Sequence, residues 1–158
     1  MKRISQLLAA AATAWLAGCG TLLGGPVATA TLSSTTGNRT AGSVRFVQQG
    51  NGRVLVSGEI QGLKANAEHG FHVHERGDCS SGDGMSAGGH RPGDLQPLRS
   101  DAAGVARFSF ESGAISVGAG VADVVGRGLI VHRDPDDSTP QAMGNTGPRL
   151  ACAVIVRS

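Results

Sequence analysis

The chain has no surplus of positive charge once its first residues are set aside. Fourteen lysines and arginines face twelve acidic residues over 158 positions. Lys2 and Arg3 fall in the first eighteen residues, which contain no acid. The remaining 140 positions therefore carry twelve basic against twelve acidic groups, with no basic stripe to hold a nucleic acid. Long apolar runs are missing too: Leu7 to Leu16 is mostly apolar but too short for a permanent membrane span. Internal repeats and low-complexity tracts are absent, and no segment of useful length joins helical period to helical caps. Cysteine is scarce, with three residues in all.

What is present begins with the leader. A basic start at Lys2 and Arg3, the short apolar stretch, and Leu16-Ala17-Gly18-Cys19 look like a bacterial lipoprotein signal, in which Cys19 is lipidated and becomes the mature N-terminus. An ordinary secretory signal with an incidental Cys19 is the other reading; both imply export. The expected division is residues 1–18 as signal peptide, 19–27 as tether and 28–158 as one domain, long enough to bury a core. Gly20 stands where an aspartate would signal inner-membrane retention, so the expected place is the outer membrane, facing the periplasm and held by the lipid anchor alone. With Cys19 given to lipid, Cys79 and Cys152 remain as an even pair in an oxidising compartment. A disulfide is expected between them, against the alternative of two inert buried thiols.

After the tether the chain reads as short strands: 28–32, 42–48, 53–60, 70–75, 95–100, 105–110, 128–132 and 149–156. Alternation shows in Val44 and Phe46 and in Val54 and Val56. Gln49-Gly50-Asn51-Gly52 and Asp101-Ala102-Ala103-Gly104 are hairpin turn signals, since Gly and Asn reach the positive φ that such turns need. Eight short strands at this spacing with 25 glycines predict an all-β antiparallel sandwich or barrel.

Five histidines carry the chemistry. A strand places residues i and i+2 on one face, so His72 and His74 in Gly70-Phe71-His72-Val73-His74 project together while Phe71 and Val73 point to the core. His90 follows Ser86-Ala87-Gly88-Gly89, and His132 follows Leu129-Ile130-Val131. A single histidine on a strand is ordinarily a polar neighbour of the core. Four imidazoles so placed suggest a copper site.

Those stretches, with Gly93-Asp94-Leu95, Gly126-Arg127-Gly128 and Gly144-Asn145-Thr146-Gly147-Pro148-Arg149-Leu150-Ala151-Cys152, resemble the Cu/Zn superoxide dismutase family over nearly all of the mature domain. The resemblance implies an eight-stranded antiparallel Greek-key barrel. It implies that His72, His74 and His132 bind copper, and that His90 is the imidazole that usually bridges copper and zinc. It also makes Arg149 the arginine that orients superoxide, and it supports the Cys79 and Cys152 disulfide. His69 falls on a structural, hydrogen-bonding position. The implied activity is a superoxide dismutase, converting superoxide to dioxygen and hydrogen peroxide in two one-electron steps, with His90 passing a proton and Arg149 stabilising the anion.

One departure from the family pattern matters. Only Arg91 and Pro92 separate His90 from Gly93, where the family carries a loop with two further zinc histidines, and no histidine lies between His90 and His132. Structural zinc takes four ligands, and His90 with Asp94 supplies two, so a copper site without zinc is expected. Something must then orient His90, and a carboxylate is the expected device, with Asp136 first and Asp94 second. The loop 133–147 is also short, which leaves steering of the anion to Arg149 and secondarily to Arg133 or Arg91. The rivals to an enzyme are a copper-buffering lipoprotein without turnover and a metal-free envelope interaction module.

Overall fold

Strand pairing in the computed structural model, which describes residues 24–91, 95–136 and 147–158, is antiparallel throughout both of its sheets. The strands are β1 Val27–Ser34, β2 Ala41–Gln48, β3 Val54–Gln61, β4 Glu68–His69, β5 Phe71–His74, β6 Leu98–Arg99, β7 Ala106–Ser112, β8 Gly128–His132, β9 Arg149–Val154 and β10 Val156–Arg157. The helical content among the described residues is one 3-10 turn, Met85–Ala87. The main sheet runs β5-β8-β9-β1-β2-β3-β7, with β10 also on β1, and β4 pairs with β6 apart from it. After β3 the chain crosses to the far end of the sheet to form β5, returns to lay β7 beside β3, and crosses again to lay β8 beside β5. Those crossings are Greek-key connections.

The sheet curls because its two end strands share a core. Phe71 of β5 and Phe108 of β7 meet edge to face with ring centroids 5.5 Å apart, in the arrangement that suits aromatic quadrupoles. Around them pack Leu32, Val44, Phe46, Val54, Val56 and Leu129, all buried. Each large side chain removed from water in this way is worth roughly 1.5–3 kcal/mol. The period-two pattern of β2 and β3 is the direct cause, since Val44 and Phe46 alternate with the exposed Ser43 and Arg45.

The first hairpin signal closes as expected, with Gly52 joining the paired strands β2 and β3 at φ +80°. The second forms a turn at Gly104, φ +73°, but joins strands that are not paired with each other, since β6 pairs with β4 and β7 with β3. Two strands differ from expectation. The one over 95–100 is reduced to Leu98–Arg99, whose partner is the two-residue β4. The last strand divides at Ile155, because β9 pairs with β8 while Val156 leaves it to pair with Thr29 of β1. The switch lets β1 hold β10 at one end and β9 at the other.

The face of β5, β8 and β9 that points away from the core is also buried. His72 and His74 of β5, Ile130 and His132 of β8, and Cys152 of β9 lie on it, each at most 5% exposed. The segment 75–91 covers this face. Cys79 is joined to Cys152 by a disulfide, and Ala87 packs with Ile130 and Cys152 in a second small cluster. Gly128 admits the cover, because a Cβ there would lie 2.6 Å from the Arg76 carbonyl oxygen and 3.1 Å from Ala87 Cβ.

The disulfide closes a span of 73 positions, for which loop entropy alone gives about 4 kcal/mol. Reduction should lower the melting temperature by on the order of 10 °C and weaken metal retention with it. Thermal scans of oxidised and reduced protein check this, and equal midpoints would refute it.

Candidate metal centre

Three of the four clustered histidines come from strands and one from the covering segment. His72 and His74 share a face of β5 by alternation, opposite Ile130 and Gly128 of β8. His132 ends β8 at a bulge, where the register slips so that it pairs with Arg149 of β9. A bulge re-aims side chains at the edge of a sheet, and here it sets His132 and Arg149 side by side on the covered face. His90 is placed by pairing of its flanking residues with β5: Glu75 N–H donates to the Gly89 carbonyl at 3.0 Å, and Arg91 N–H to the Val73 carbonyl at 2.9 Å. One nitrogen from each of His72, His74, His90 and His132 lies within 4.8 Å of every other.

The hydrogen-bond partners decide which nitrogens are bare. His74 Nδ1 faces the Gly88 carbonyl oxygen at 3.0 Å, and since that oxygen can only accept, Nδ1 carries the proton. Its Nε2 is therefore the unprotonated nitrogen, in contact with His132 Nε2 at 3.3 Å. His132 is itself bonded to the Gly147 backbone. His72 Nε2 meets Asp136 Oδ1 at 2.9 Å, which leaves His72 Nδ1 buried and without a partner. An orphaned buried acceptor costs roughly 1–3 kcal/mol. A cation held by the four imidazoles relieves that cost, and nitrogen ligands of this kind suit copper.

Burial makes the same nitrogens available. It pushes His74 down to about 3, against a weaker opposing effect of its bond to Gly88, with Arg149 and the neighbouring histidines adding to the fall. His132 is pushed down to about 2 by burial first and by His72, His74 and His90 next. Both are neutral at neutral pH.

Arg149 stands beside this cluster through a shared atom. Its Nη2 donates to the Gly88 carbonyl at 2.7 Å, the oxygen that also holds His74, and its Nη1 donates to the Gly84 carbonyl at 2.7 Å. His69 lies outside the cluster, its Nδ1 on the His132 carbonyl oxygen at 3.0 Å; it supports the backbone of a clustered residue, as its family position implies.

Other expectations change. Asp136, expected to orient His90, is bonded to His72 instead, because β5 carries His72 towards the loop after β8. Asp94 and Cys19 lie outside the described residues. Arg133 is paired with Asp134 at 3.0 Å, and both Nη atoms of Arg91 are bonded to the carbonyls of residues 121 and 123, whereas the carbonyls that hold Arg149 belong to the covering segment beside His74. Sequence reasoning passed over Glu75, whose carboxylate accepts from Gly89 N–H at 3.2 Å, and over Gly88, which stands at φ +79° with its carbonyl turned to two site residues. The signals were the acid directly after the histidine pair and the doubled glycine before His90.

Residues 40–155 match the family described as copper/zinc superoxide dismutase (SODC). The chain is 37% identical over 135 residues to a Cu-Zn superoxide dismutase of Paramecium bursaria Chlorella virus 1, covering 72% of this chain and 71% of that one. It is 39% identical over 139 residues to the human copper chaperone for superoxide dismutase, covering 74% of this chain and 48% of the chaperone, so it spans about half the chaperone's length. Among solved structures, the clock protein EA4 superimposes with a TM-score of 0.72 at 32% identity, over 82% of this chain and 93% of that one.

The depressed histidines link stability to pH. An unfolded histidine takes up its proton below about pH 6.5, whereas folded His74 and His132 refuse it until about 3 and about 2. The unfolded state thus binds more protons between those limits, and stability falls as pH falls, by up to about 1.4 kcal/mol per pH unit for each group. Metal-free protein should therefore melt at progressively lower temperature from pH 6.5 to pH 5. A flat profile across that window would overturn the assignment of two buried neutral imidazoles.

Proposed function

Since the chain belongs to the copper/zinc superoxide dismutase family, we propose that it is a copper-dependent superoxide dismutase of the bacterial cell envelope that works without zinc. The observation that carries this reading is the convergence of one nitrogen from each of His72, His74, His90 and His132 within 4.8 Å of one another, beside Arg149. His72, His74, His90 and His132 would hold copper. Copper bound there supplies one-electron exchange, by which two superoxide ions and two protons yield one dioxygen and one hydrogen peroxide.

The residues supply the rest. His72 is kept in the tautomer that exposes Nδ1 by Asp136, and His74 in the one that exposes Nε2 by Gly88. His90, only partly buried, is the group that passes a proton to reduced substrate as general acid. Arg149 has five N–H donors in one plane, and its two carbonyl bonds hold that plane beside the histidines, where a fixed cation attracts and orients a small anion.

The likeness to a copper chaperone favours a second reading, in which the domain binds copper and passes it on without turnover. Four intact histidines serve either role. The adjacent arginine favours the enzyme, since a store has no need to bind an anion. The envelope location rests on the leader, with Cys19 as the lipidated residue; labelling with a radioactive fatty acid, compared with a Cys19→Ser variant, tests it.

Metal content tests the zinc-free reading. Dialysis against excess copper and zinc should leave about one copper per chain and negligible zinc, because a tight zinc site needs about four ligands. Stoichiometric, tightly held zinc would sink it.

Two variants separate binding from chemistry. His132→Ala should abolish copper binding and superoxide removal together, whereas Arg149→Ala should keep copper and lower the rate. The wild-type rate should also fall with added salt more steeply than that of Arg149→Ala, since only the wild type has that charge to screen. Full activity in Arg149→Ala with an unchanged salt response removes the arginine from the mechanism, and absence of turnover in copper-loaded wild type favours the chaperone reading.

A further inference from the structure

We propose that Arg91 is a positioning residue for His90, fixing the imidazole from the protein side; this rests on the zinc-free reading above. His90 is the one clustered histidine outside a regular strand. Before His90 the segment is tied by the backbone bonds of Glu75 to Gly89 and Arg76 to Ala87 and by Gly89 N–H on the Glu75 carboxylate. After His90, among the described residues, the backbone bond to β5 is that of Arg91 N–H to Val73, a light hold against fraying.

Arg91 adds a second attachment in another direction. Its Nη1 donates to the Asp123 carbonyl at 2.9 Å and its Nη2 to the Val121 carbonyl at 2.5 Å. The receiving loop is itself rigid. Asp123 Oδ1 accepts from Gly118 and Val125 N–H at 2.8 and 3.0 Å, Val124 N–H donates to the Ser116 carbonyl at 3.1 Å, and Ile115, Val117 and Val124 are buried in the core. The residue after His90 is thus held between β5 and a core-anchored loop. A planar guanidinium gripping two carbonyls sets an angle as well as a distance. Both bonds draw the charge into loop contacts, so Arg91 acts through geometry, whereas Arg149 acts through its field.

Arg91→Ala and Arg91→Lys test this by two measurements that do not depend on turnover. In metal-free protein, amide exchange at Glu75 and at residue 91 should quicken on the order of tenfold in Arg91→Ala, as expected when both guanidinium bonds are lost, with Phe46 and Val56 unchanged. In copper-loaded protein, the Cu(II) EPR spectrum of Arg91→Ala should lose the His90 contribution in part of the population, and retention against a chelator should fall about 10- to 100-fold. Arg91→Lys, reaching one carbonyl at a time, should fall between, and it carries the test if the alanine variant does not fold. Unchanged exchange, or faster exchange with an unchanged spectrum, would overturn the proposal. A lysine variant equal to wild type in both measurements would overturn the two-carbonyl clamp. Wild type that takes up no copper sinks the proposed function instead, while the exchange measurement still decides the role of Arg91.

Discussion

The structure depends on one cover held over one face. Strands β5, β8 and β9 turn Phe71, Val73, Leu129, Val131, Ala151 and Ala153 into the core, and the opposite side of the same strands would face water if nothing lay on it. The segment 75–91 lies there, held by the Cys79–Cys152 disulfide at one end and by pairing with β5 at the other. Its presence turns a solvated sheet face into a dry one. That dryness keeps His74 and His132 neutral, because burial is the largest influence on both. It also brings His90 onto the face. The disulfide is therefore more than a constraint on the unfolded chain: it closes the compartment in which the site exists.

Within that compartment the control of tautomers is distributed over backbone and carboxylate. Gly88 presents one carbonyl to two side chains, fixing the proton on His74 and the guanidinium plane of Arg149 together. Only a residue able to stand at φ +79° turns the chain so. His74 and Arg149 are coupled through this oxygen, so displacement of the covering segment moves both. Asp136 does for His72 what Gly88 does for His74, with a charge added.

The family resemblance constrains function less tightly than fold. A Cu-Zn superoxide dismutase and a copper chaperone stand at nearly equal identity to this chain, as expected when one barrel carries both metal transfer and redox chemistry. Under the proposed function, Arg149, paired with His132 across β8 and β9, is the feature that would serve an anionic substrate in addition to the metal.

Strand positions, the β2–β3 hairpin and the paired histidines were legible in the sequence because each rests on short-range periodicity: alternation exposes β2 and β3, Gly52 marks the turn between them, and i,i+2 spacing joins His72 to His74. Motif context extended this to His90, His132, Arg149 and the cysteine pair. The two-residue strands β4 and β6 were not legible, since so short a pairing has no period of its own. Nor were the partners of the carboxylates and arginines. Asp136 goes to His72, Glu75 to Gly89, and Arg91 to the carbonyls of residues 121 and 123. The sequence by itself determined which residues carry metal chemistry and which face of each strand they occupy, because those follow from side-chain type and backbone period. Only the tertiary structure decided which nitrogen of His74 carries the proton and which carbonyls hold Arg149, because hydrogen-bond partners are set by crossovers that bring together residues as far apart as Gly88 and Arg149.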